Sequence, residues 1–206
     1  MSMSPDADSE CSYDAEQDLE QRLLLVPPET TTRGFLFSSI LKAVRELGGD
    51  EQVVQSCLEA SGEKEFVELF NYPTRALLQM LAAAARGLSP RYGSVEEALR
   101  QLGRKGGASN MASSMGRSAQ LMTQGDPKKL LATMQVLYGI AMTYSEPTVV
   151  WKGPKRGVLV IHQTYTPLPY HVGGAQETAR WLGLEKVKVR GRTTGVLSLE
   201  LDFSWD

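Results

Sequence analysis

Cysteine and histidine are scarce in this sequence, which holds two of each in 206 residues. Cys11 and Cys57 lie in different predicted segments, so we expect no disulfide framework, and nothing resembles the paired Cys-x-x-Cys of a structural zinc site. His162 and His171 occur in no His-Glu-x-x-His spacing. A metal site made of Cys57, His162 and His171 stays open as an alternative, but a structural histidine is the commoner role. The sequence therefore predicts no metal.

Signatures of catalysis are also missing. The Gly103–Gly107 stretch lacks the Lys-Ser/Thr ending of a phosphate-binding loop, and no Gly-x-Ser-x-Gly nucleophile elbow occurs. The carboxylates of Glu96 and Glu97 fall at the start of a predicted helix, where the helix dipole already accounts for them. We therefore expect a protein that is not an enzyme and that uses no cofactor.

Long apolar runs are absent from the N-terminal region, where Leu23–Val26 is too short for a signal peptide or a membrane span. We therefore expect a cytoplasmic protein without a membrane span. Residues 1–22 instead hold seven acidic residues and one arginine, for a net charge of −6. Such a segment buries too little apolar surface to offset its ordering entropy, so we predict a disordered tail over residues 1–27. An autoinhibitory or partner-binding arm is the alternative role.

Residues 28–206 have the length and composition of one globular domain. The segment that follows residue 22 carries a net charge of +4, because the whole chain carries −2. Its basic residues are scattered along the sequence, so we expect no nucleic-acid partner.

Two kinds of hydrophobic periodicity divide this domain. Apolar residues recur at helical spacing from Gly34 to about Thr143 and at strand spacing from Glu146 to Trp205, with one interrupting helix. The last strand alternates most clearly, and its apolar positions are Leu197, Leu199, Leu201, Phe203 and Trp205. The sequence predicts an α+β fold in which a helical half, residues 34–145, packs on a ββαββ half, residues 146–206, with an antiparallel sheet.

Capping residues locate several helices. Asp50 and Asp126 are typical N-caps, and Ser94 with Glu97 forms a capping box. The helix after Asp126 has a broad apolar face and is predicted to be the most buried one. The stretch over residues 103–123 is rich in Gly, Ser and Met, which predicts a loosely packed helix with a mobile start.

Aromatic residues with polar groups concentrate near the predicted junction of the two halves. Such residues at a helix–sheet seam are what a small-molecule pocket would use, although core packing is the alternative for each of them. The candidate ligand-binding residues are Tyr138, Trp151, His162, Tyr165, Tyr170 and His171.

Short motifs spread over the domain give a family resemblance. They are Arg33-Gly34-Phe35-Leu36-Phe37, Tyr72-Pro73, Tyr92-Gly93, Gly125-Asp126-Pro127, Val150-Trp151-Lys152-Gly153-Pro154, Gly191-Arg192-Thr193-Thr194-Gly195 and Ser204-Trp205. With these motifs the chain resembles a paralogous family of uncharacterised short proteins expanded in myxobacteria, and the match covers nearly everything after the tail. That family is a domain of unknown function, so the resemblance implies little about activity.

The order of helices followed by ββαββ also resembles, more distantly, the haem-nitric-oxide/oxygen-binding domain, the four-vinyl-reductase sensor domain and the Bet3-type trafficking subunits. This resemblance implies a ligand enclosed between the two halves. In the haem domain a histidine on the helix before the first strand binds iron, and Tyr138 falls at that position. The haem domain also clamps the haem propionates with a Tyr-x-Ser-x-Arg motif, and in this sequence Thr166 occupies the position of the motif's arginine. Both departures argue against ordinary haem binding, although tyrosine ligates ferric haem in other proteins.

Two functional hypotheses result. The first is a non-enzymatic cytosolic sensor or adaptor that binds a small, largely apolar ligand between the halves and passes that state to a protein partner. The second is a structural protein–protein interaction module that dimerises as Bet3-type proteins do, with its cavity filled by its own side chains. An enclosed apolar cavity near Tyr138 and His162 favours the first, and a packed seam with an exposed apolar helix face favours the second.

Overall fold

A computed structural model describes residues 13–112, 114–142, 144–184 and 186–206, and only the backbone of residues 114, 115 and 141. The helices in these ranges are α1 (Ala15–Leu25), α2 (Gly34–Glu46), α3 (Glu51–Ser61), α4 (Thr74–Tyr92), α5 (Val95–Ala112), α6 (Ser114–Thr123), α7 (Pro127–Ala141) and α8 (Leu168–Trp181). The strands are β1 (Thr31–Arg33), β2 (Asn71–Pro73), β3 (Thr148–Gly153), β4 (Arg156–Ile161), β5 (Lys188–Gly195) and β6 (Ser198–Ser204). A helical half precedes a four-stranded sheet, which confirms the predicted α+β class.

The four-stranded sheet is antiparallel, with the strand order β3-β4-β6-β5 and with α8 connecting its two hairpins. Leu159 of β4 pairs with Leu201 of β6, and both are fully buried in the core that the sheet shares with α7 and α8. The predicted ββαββ order is therefore confirmed. In the second hairpin β5 continues to Gly195, which pairs with Ser198.

The helical half packs around α4, whose Met80, Leu81 and Ala84 are completely buried. The prediction that the helix after Asp126 is the most buried one is wrong. One face of that helix, α7, packs on β3 and β4, but its other face is open to solvent, where Val136 is 61% exposed. No helix in the described ranges combines the length and the apolar character needed to cross a membrane.

The stretch over residues 103–123 is more regular than predicted, because α5 continues as a helix to residue 112 and its glycines lie directly against α8. A Cβ atom on Gly103 would lie 2.0 Å from the carbonyl oxygen of Tyr170. A Cβ atom on Gly173 would lie 2.0 Å from the carbonyl oxygen of Arg100. Since backbone atoms cannot retreat as a flexible side chain can, only glycine allows so close an approach. The two halves are joined at this contact.

The predicted disordered tail over residues 1–27 is wrong for its second part, which forms α1 and buries Leu19 completely. Acidic residues of α1 lie at or near the surface, and Glu16 forms an ion pair with the exposed Arg86 of α4. A narrow apolar stripe on this helix is therefore sufficient to dock it, despite the acidic composition. Residues 1–12 lie outside the described part of the chain.

Candidate functional site

A cavity of about 120 Å³ lies at the seam between the halves, where α2, α5, α7 and α8 meet. Its walls are mainly apolar side chains, among them Ile40, Met134 and Leu137, together with the backbone of Gly106 and Gly107. The volume is similar to that of an engineered cavity of about 150 Å³ that binds benzene or xenon. Pockets for drug-sized ligands begin at roughly 300 Å³. The seam therefore has room for one small, ring-sized molecule.

Tyr138 of α7, with Tyr170 and His171 of α8, forms a polar part of the cavity wall that we term the polar end, and Asn110, Thr166 and Thr178 also line the cavity. His171 is buried, with its Nε2 atom 2.8 Å from the Thr164 hydroxyl and 2.5 Å from the Thr166 hydroxyl. Its Nδ1 atom lies 3.2 Å from the hydroxyl of Tyr138. Tyr170, the neighbour of His171 on α8, lines the same cavity.

Burial determines the charge of this polar end. Desolvation, with a smaller effect of the nearby Arg22 guanidinium, lowers the pKa of His171 to about 3, and a hydrogen bond at Thr166 opposes the shift. Desolvation also raises the pKa of Tyr138 well above its usual value and raises the pKa of Tyr170 to about 12. All three side chains are therefore neutral at physiological pH. The neutral imidazole carries one N–H, so one of its nitrogens donates a hydrogen bond and the other accepts one.

Behind the polar end lies Arg22 of α1, which is fully buried. Its Nη1 atom donates hydrogen bonds to the carbonyl oxygens of Thr164 and Thr166, at 2.8 and 3.3 Å. Its Nε atom donates to the Asp18 carboxylate at 2.8 Å, and its Nη2 atom has no partner among the described residues. The helix that was predicted as a disordered tail thus holds in place the two threonines that contact His171.

Three of the six predicted ligand-binding residues line the cavity, namely Tyr138, Tyr170 and His171. They come together because α7 and α8 meet at the seam, with the rings of Tyr138 and His171 stacked at 5.6 Å between centroids. This half of the predicted set converges on one site.

The other three predicted residues do not reach the cavity. Trp151 lies on the edge strand β3 and is 46% exposed. His162 follows the end of β4 and is exposed, with its Nδ1 atom 3.4 Å from the Ser198 hydroxyl. Tyr165 is buried, but its ring packs on Tyr144 at 5.0 Å between centroids, in a separate small cluster. Their assignment to the ligand site is therefore not supported by their positions.

Sequence reasoning did not place Thr164 or Arg22 at the site, and it named Thr166 only as the residue at the position of the propionate-clamp arginine. A usable signal for the threonines was their spacing, since residues two apart in an extended segment face the same side. Arg22 carried a weaker signal, as the single base among seven acidic residues in the first 22 positions.

A metal centre is a poor fit to this arrangement. Within the ranges that the structure describes, no three His, Cys, Asp or Glu side chains come together in a way that could hold a metal ion. Cys57 lies in the core of the helical half rather than beside His171, and burial raises the pKa of its thiol to about 11. The alternative site of Cys57, His162 and His171 is therefore not formed.

The fold is similar to that of solved H-NOX domains. The Fe(II) unliganded H-NOX protein from K. algicida is 16% identical, with a TM-score of 0.64 over 84% of this chain and 96% of that one. An oxygen-binding H-NOX domain related to soluble guanylate cyclases is 14% identical, with a TM-score of 0.61 over 84% of this chain and 95% of that one. At these identities the likeness establishes the fold alone.

The residues at the seam do not fit a haem. Tyr138, on the helix before the first strand of the sheet, has its hydroxyl hydrogen-bonded to His171, and burial disfavours the phenolate that would ligate iron. His171 has both ring nitrogens in hydrogen bonds within the protein. The cavity volume of about 120 Å³ is also well below the roughly 300 Å³ at which pockets for drug-sized ligands begin, and a porphyrin is at least as large as such a ligand.

No curated protein is significantly similar to the chain in sequence. Residues 25–206 match the family model described as protein of unknown function (DUF2378), so the match begins at the last residue of α1 and includes every later helix and strand. This confirms the resemblance to a domain of unknown function. The chain belongs to the DUF2378 family.

Proposed function

We propose that this protein is a non-enzymatic, cytosolic sensor or adaptor that binds one small, largely apolar ligand in the cavity between its two halves. The observation that carries this proposal is the cavity itself, which has apolar walls, room for one ring-sized molecule and hydrogen-bonding groups at one end. A concave apolar site with a few convergent polar groups is the usual form of a small-molecule site.

The protonation behaviour of the polar end favours binding over catalysis. A general acid or base works best with a pKa near the operating pH. The pKa of His171 is lowered to about 3 and that of Tyr170 is raised to about 12, so neither exchanges protons readily near pH 7. These groups orient a ligand rather than transfer a proton to it.

Helix α7 offers a route from the ligand to a protein partner. Met134, Leu137 and Tyr138 on its inner face line the cavity. Val136 and Ile140 on its outer face are 61% and 48% exposed. A partner bound to the outer face would therefore contact the same helix that contacts the ligand. A displacement of α7 on ligand binding would change the surface that the partner contacts.

The test fills the cavity with a larger side chain. Leu137→Phe should change the free energy of unfolding by less than about 1 kcal/mol, because the added atoms occupy the cavity, whereas a close-packed site would lose roughly 1 to 3 kcal/mol. Toluene and phenol serve as probes, measured by calorimetry and by thermal unfolding. A probe that binds should stabilise the unsubstituted protein by about 1.4 kcal/mol at tenfold excess over its Kd. Leu137→Phe should abolish this stabilisation.

Val136→Phe is the matched control, since it places the same ring one position earlier on α7, in solvent. It should retain probe binding. The proposal is wrong if neither probe stabilises the unsubstituted protein, or if Leu137→Phe binds the probes as before. A ferrous Soret band typical of histidine ligation that forms after haem reconstitution and is lost in His171→Gln would show that the ligand is haem and not a small apolar molecule.

The second candidate function is a structural interaction module that dimerises. The exposed apolar residues of α6 and α7 favour it, namely Leu121, Met122, Val136 and Ile140. A dimer mass in light scattering that reverts to a monomer mass in Val136→Lys, together with failure of both probes to bind, would favour this function over a ligand sensor. A monomer that binds the probes would exclude it.

A further inference from the structure

Tyr170 lines the cavity with a hydroxyl that has no hydrogen-bonding partner among the described residues. The hydroxyl lies beside the bare backbone of Gly106, where a Cβ atom would come within 3.0 Å of it. No residue in the described ranges forms a hydrogen bond with this hydroxyl. Its oxygen is not one of the fully buried side-chain atoms without a partner, so it keeps some accessible surface where Tyr170 lines the cavity. A largely enclosed polar group without a protein partner calls for an explanation, and a hydrogen bond to a bound molecule is one such explanation.

Tyr138 offers the complementary group. The Nε2 atom of His171 faces two hydroxyls, those of Thr164 and Thr166. The two hydroxyls also lie 3.3 Å from each other, so either tautomer of the neutral imidazole satisfies this network. The Tyr138 hydroxyl therefore donates to Nδ1 or accepts from it. In both cases the oxygen of Tyr138 keeps a lone pair for an additional donor.

The lack of charged groups around the cavity restricts the chemical class of the ligand further. None of the described residues that line the cavity is an acidic or basic side chain other than the neutral His171. Arg22 is turned toward the carbonyl oxygens behind Thr164 and Thr166 and does not line the cavity. An ionised ligand would lose its hydration without gaining a counter-charge, which is strongly unfavourable in an apolar site.

From these contacts we infer that the ligand is a neutral, ring-sized molecule with an apolar body and one hydroxyl group, of the phenol or small-alcohol class. The ligand oxygen accepts a hydrogen bond from the Tyr170 hydroxyl, and the ligand O–H donates a hydrogen bond to the oxygen of Tyr138. This inference rests on the proposed function, because it names the class of molecule that the same cavity takes.

The experiment compares phenol with toluene, which has nearly the same shape and lacks the hydroxyl. Calorimetry gives the ratio of the toluene Kd to the phenol Kd in the unsubstituted protein, in Tyr170→Phe and in Tyr92→Phe. Removal of one net hydrogen bond should lower this ratio roughly 2- to 13-fold in Tyr170→Phe. Tyr92→Phe should leave it unchanged, because the Tyr92 hydroxyl donates to the carbonyl oxygen of Leu47, outside the cavity.

Each other outcome overturns the inference in a recognisable way. If toluene binds and phenol does not, or if the ratio is unchanged in Tyr170→Phe, the cavity is still a ligand site but the ligand needs no hydroxyl group. Failure of both probes removes the ligand site as well. Because no described residue forms a hydrogen bond with the Tyr170 hydroxyl, Tyr170→Phe should also keep the melting temperature of the unsubstituted protein, and a variant that does not fold would contradict the premise.

Discussion

Arg22 and Thr164 are 142 positions apart in the sequence and are joined by a hydrogen bond of 2.8 Å from Nη1 to the carbonyl oxygen. The same guanidinium also reaches the carbonyl oxygen of Thr166 and pairs with Asp18. The hydroxyls of both threonines contact His171 at the polar end of the cavity. Helix α1 is therefore part of the frame that supports the candidate ligand site.

Arg22→Ala should reduce the free energy of unfolding by about 2 to 4 kcal/mol, since it leaves two buried carbonyl oxygens without this donor and Asp18 without its partner. Urea unfolding measures the change. Arg86→Ala is the control, because its ion pair with Glu16 is half exposed and should contribute less than about 1 kcal/mol. Equal losses in the two variants would contradict the role given to Arg22.

Leu19→Ala tests whether α1 is docked in solution. Leu19 is completely buried, so its truncation should destabilise the protein by about 2 to 5 kcal/mol. Leu24 lies on the same helix and is 81% exposed, and Leu24→Ala should change stability by less than about 0.5 kcal/mol. If both variants unfolded at the same urea concentration as the unsubstituted protein, α1 would be no part of the core.

Gly103→Ala tests the backbone contact between α5 and α8. The new Cβ atom would meet the carbonyl oxygen of Tyr170, so the two helices must separate, at a cost of roughly 1 to 3 kcal/mol. Gly139→Ala on α7 is the control, because no atom lies within 4 Å of the position of its Cβ. Helix propensity should make that variant as stable or up to about 1 kcal/mol more stable. Thermal unfolding that ranks the two variants in the opposite order would refute the contact.

His171 should make stability depend on acid. Its pKa lies near 6.5 in an unfolded chain and is lowered to about 3 in the folded protein, where it is enclosed with Arg22, Tyr138 and Tyr170. Between these two pKa values the unfolded state binds a proton that the folded state does not. The stability associated with neutral His171 is therefore fully present above pH 6.5 and is lost as the pH falls toward 3. The free energy of unfolding should fall by up to about 1.4 kcal/mol per pH unit from this group alone.

The control for acid sensitivity is the second histidine. His171→Gln should flatten the pH dependence between 6.5 and 4, whatever its effect on stability at pH 7. His162→Gln should leave the slope unchanged, because His162 is exposed. Parallel pH profiles for all three proteins would show that burial of His171 has no thermodynamic effect.

Local signals in the sequence located helix ends and strands correctly where the signal is itself local. Asp50 accepts a hydrogen bond from the Val53 amide at 3.0 Å, and Asp126 accepts one from the Lys128 amide at 2.8 Å. The alternation of the last strand corresponds to β6, with Leu199 and Leu201 fully buried. Caps and alternation depend on neighbours within a few residues, and therefore one sequence is sufficient to recognise them.

The glycines of α5 and the helix α1 could not be predicted in this way, because their causes are long-range. Glycine lowers helix propensity, so Gly103 and its neighbours read as a loose segment. The backbone of α8, which requires glycine there, lies about 70 positions further along the chain. Likewise, nothing near Arg22 in the sequence indicates that its partners are Thr164 and Thr166.

The candidate site was half predicted for a geometric reason. Sequence proximity to the corner before α8 groups Tyr165 with His171, but it does not give side-chain direction. In the structure Thr164 and Thr166 face His171, so Tyr165 between them points to the other side and packs on Tyr144. Aromatic composition indicated the seam, and the alternation of side chains along residues 164–166 explains why Tyr165 does not line the cavity.

The span between Arg22 and its carbonyl partners also affects the order of synthesis on the ribosome. At about 5 to 20 residues per second, Thr164 is made roughly 7 to 30 seconds after Arg22. During that interval Arg22 of a nascent α1 lacks its two carbonyl partners and has its ion pair with Asp18, while α4 and α5, on which α1 packs in the folded protein, are made. The acidic residues of α1 give this segment a net negative charge, and like charges oppose the association of nascent chains during the interval.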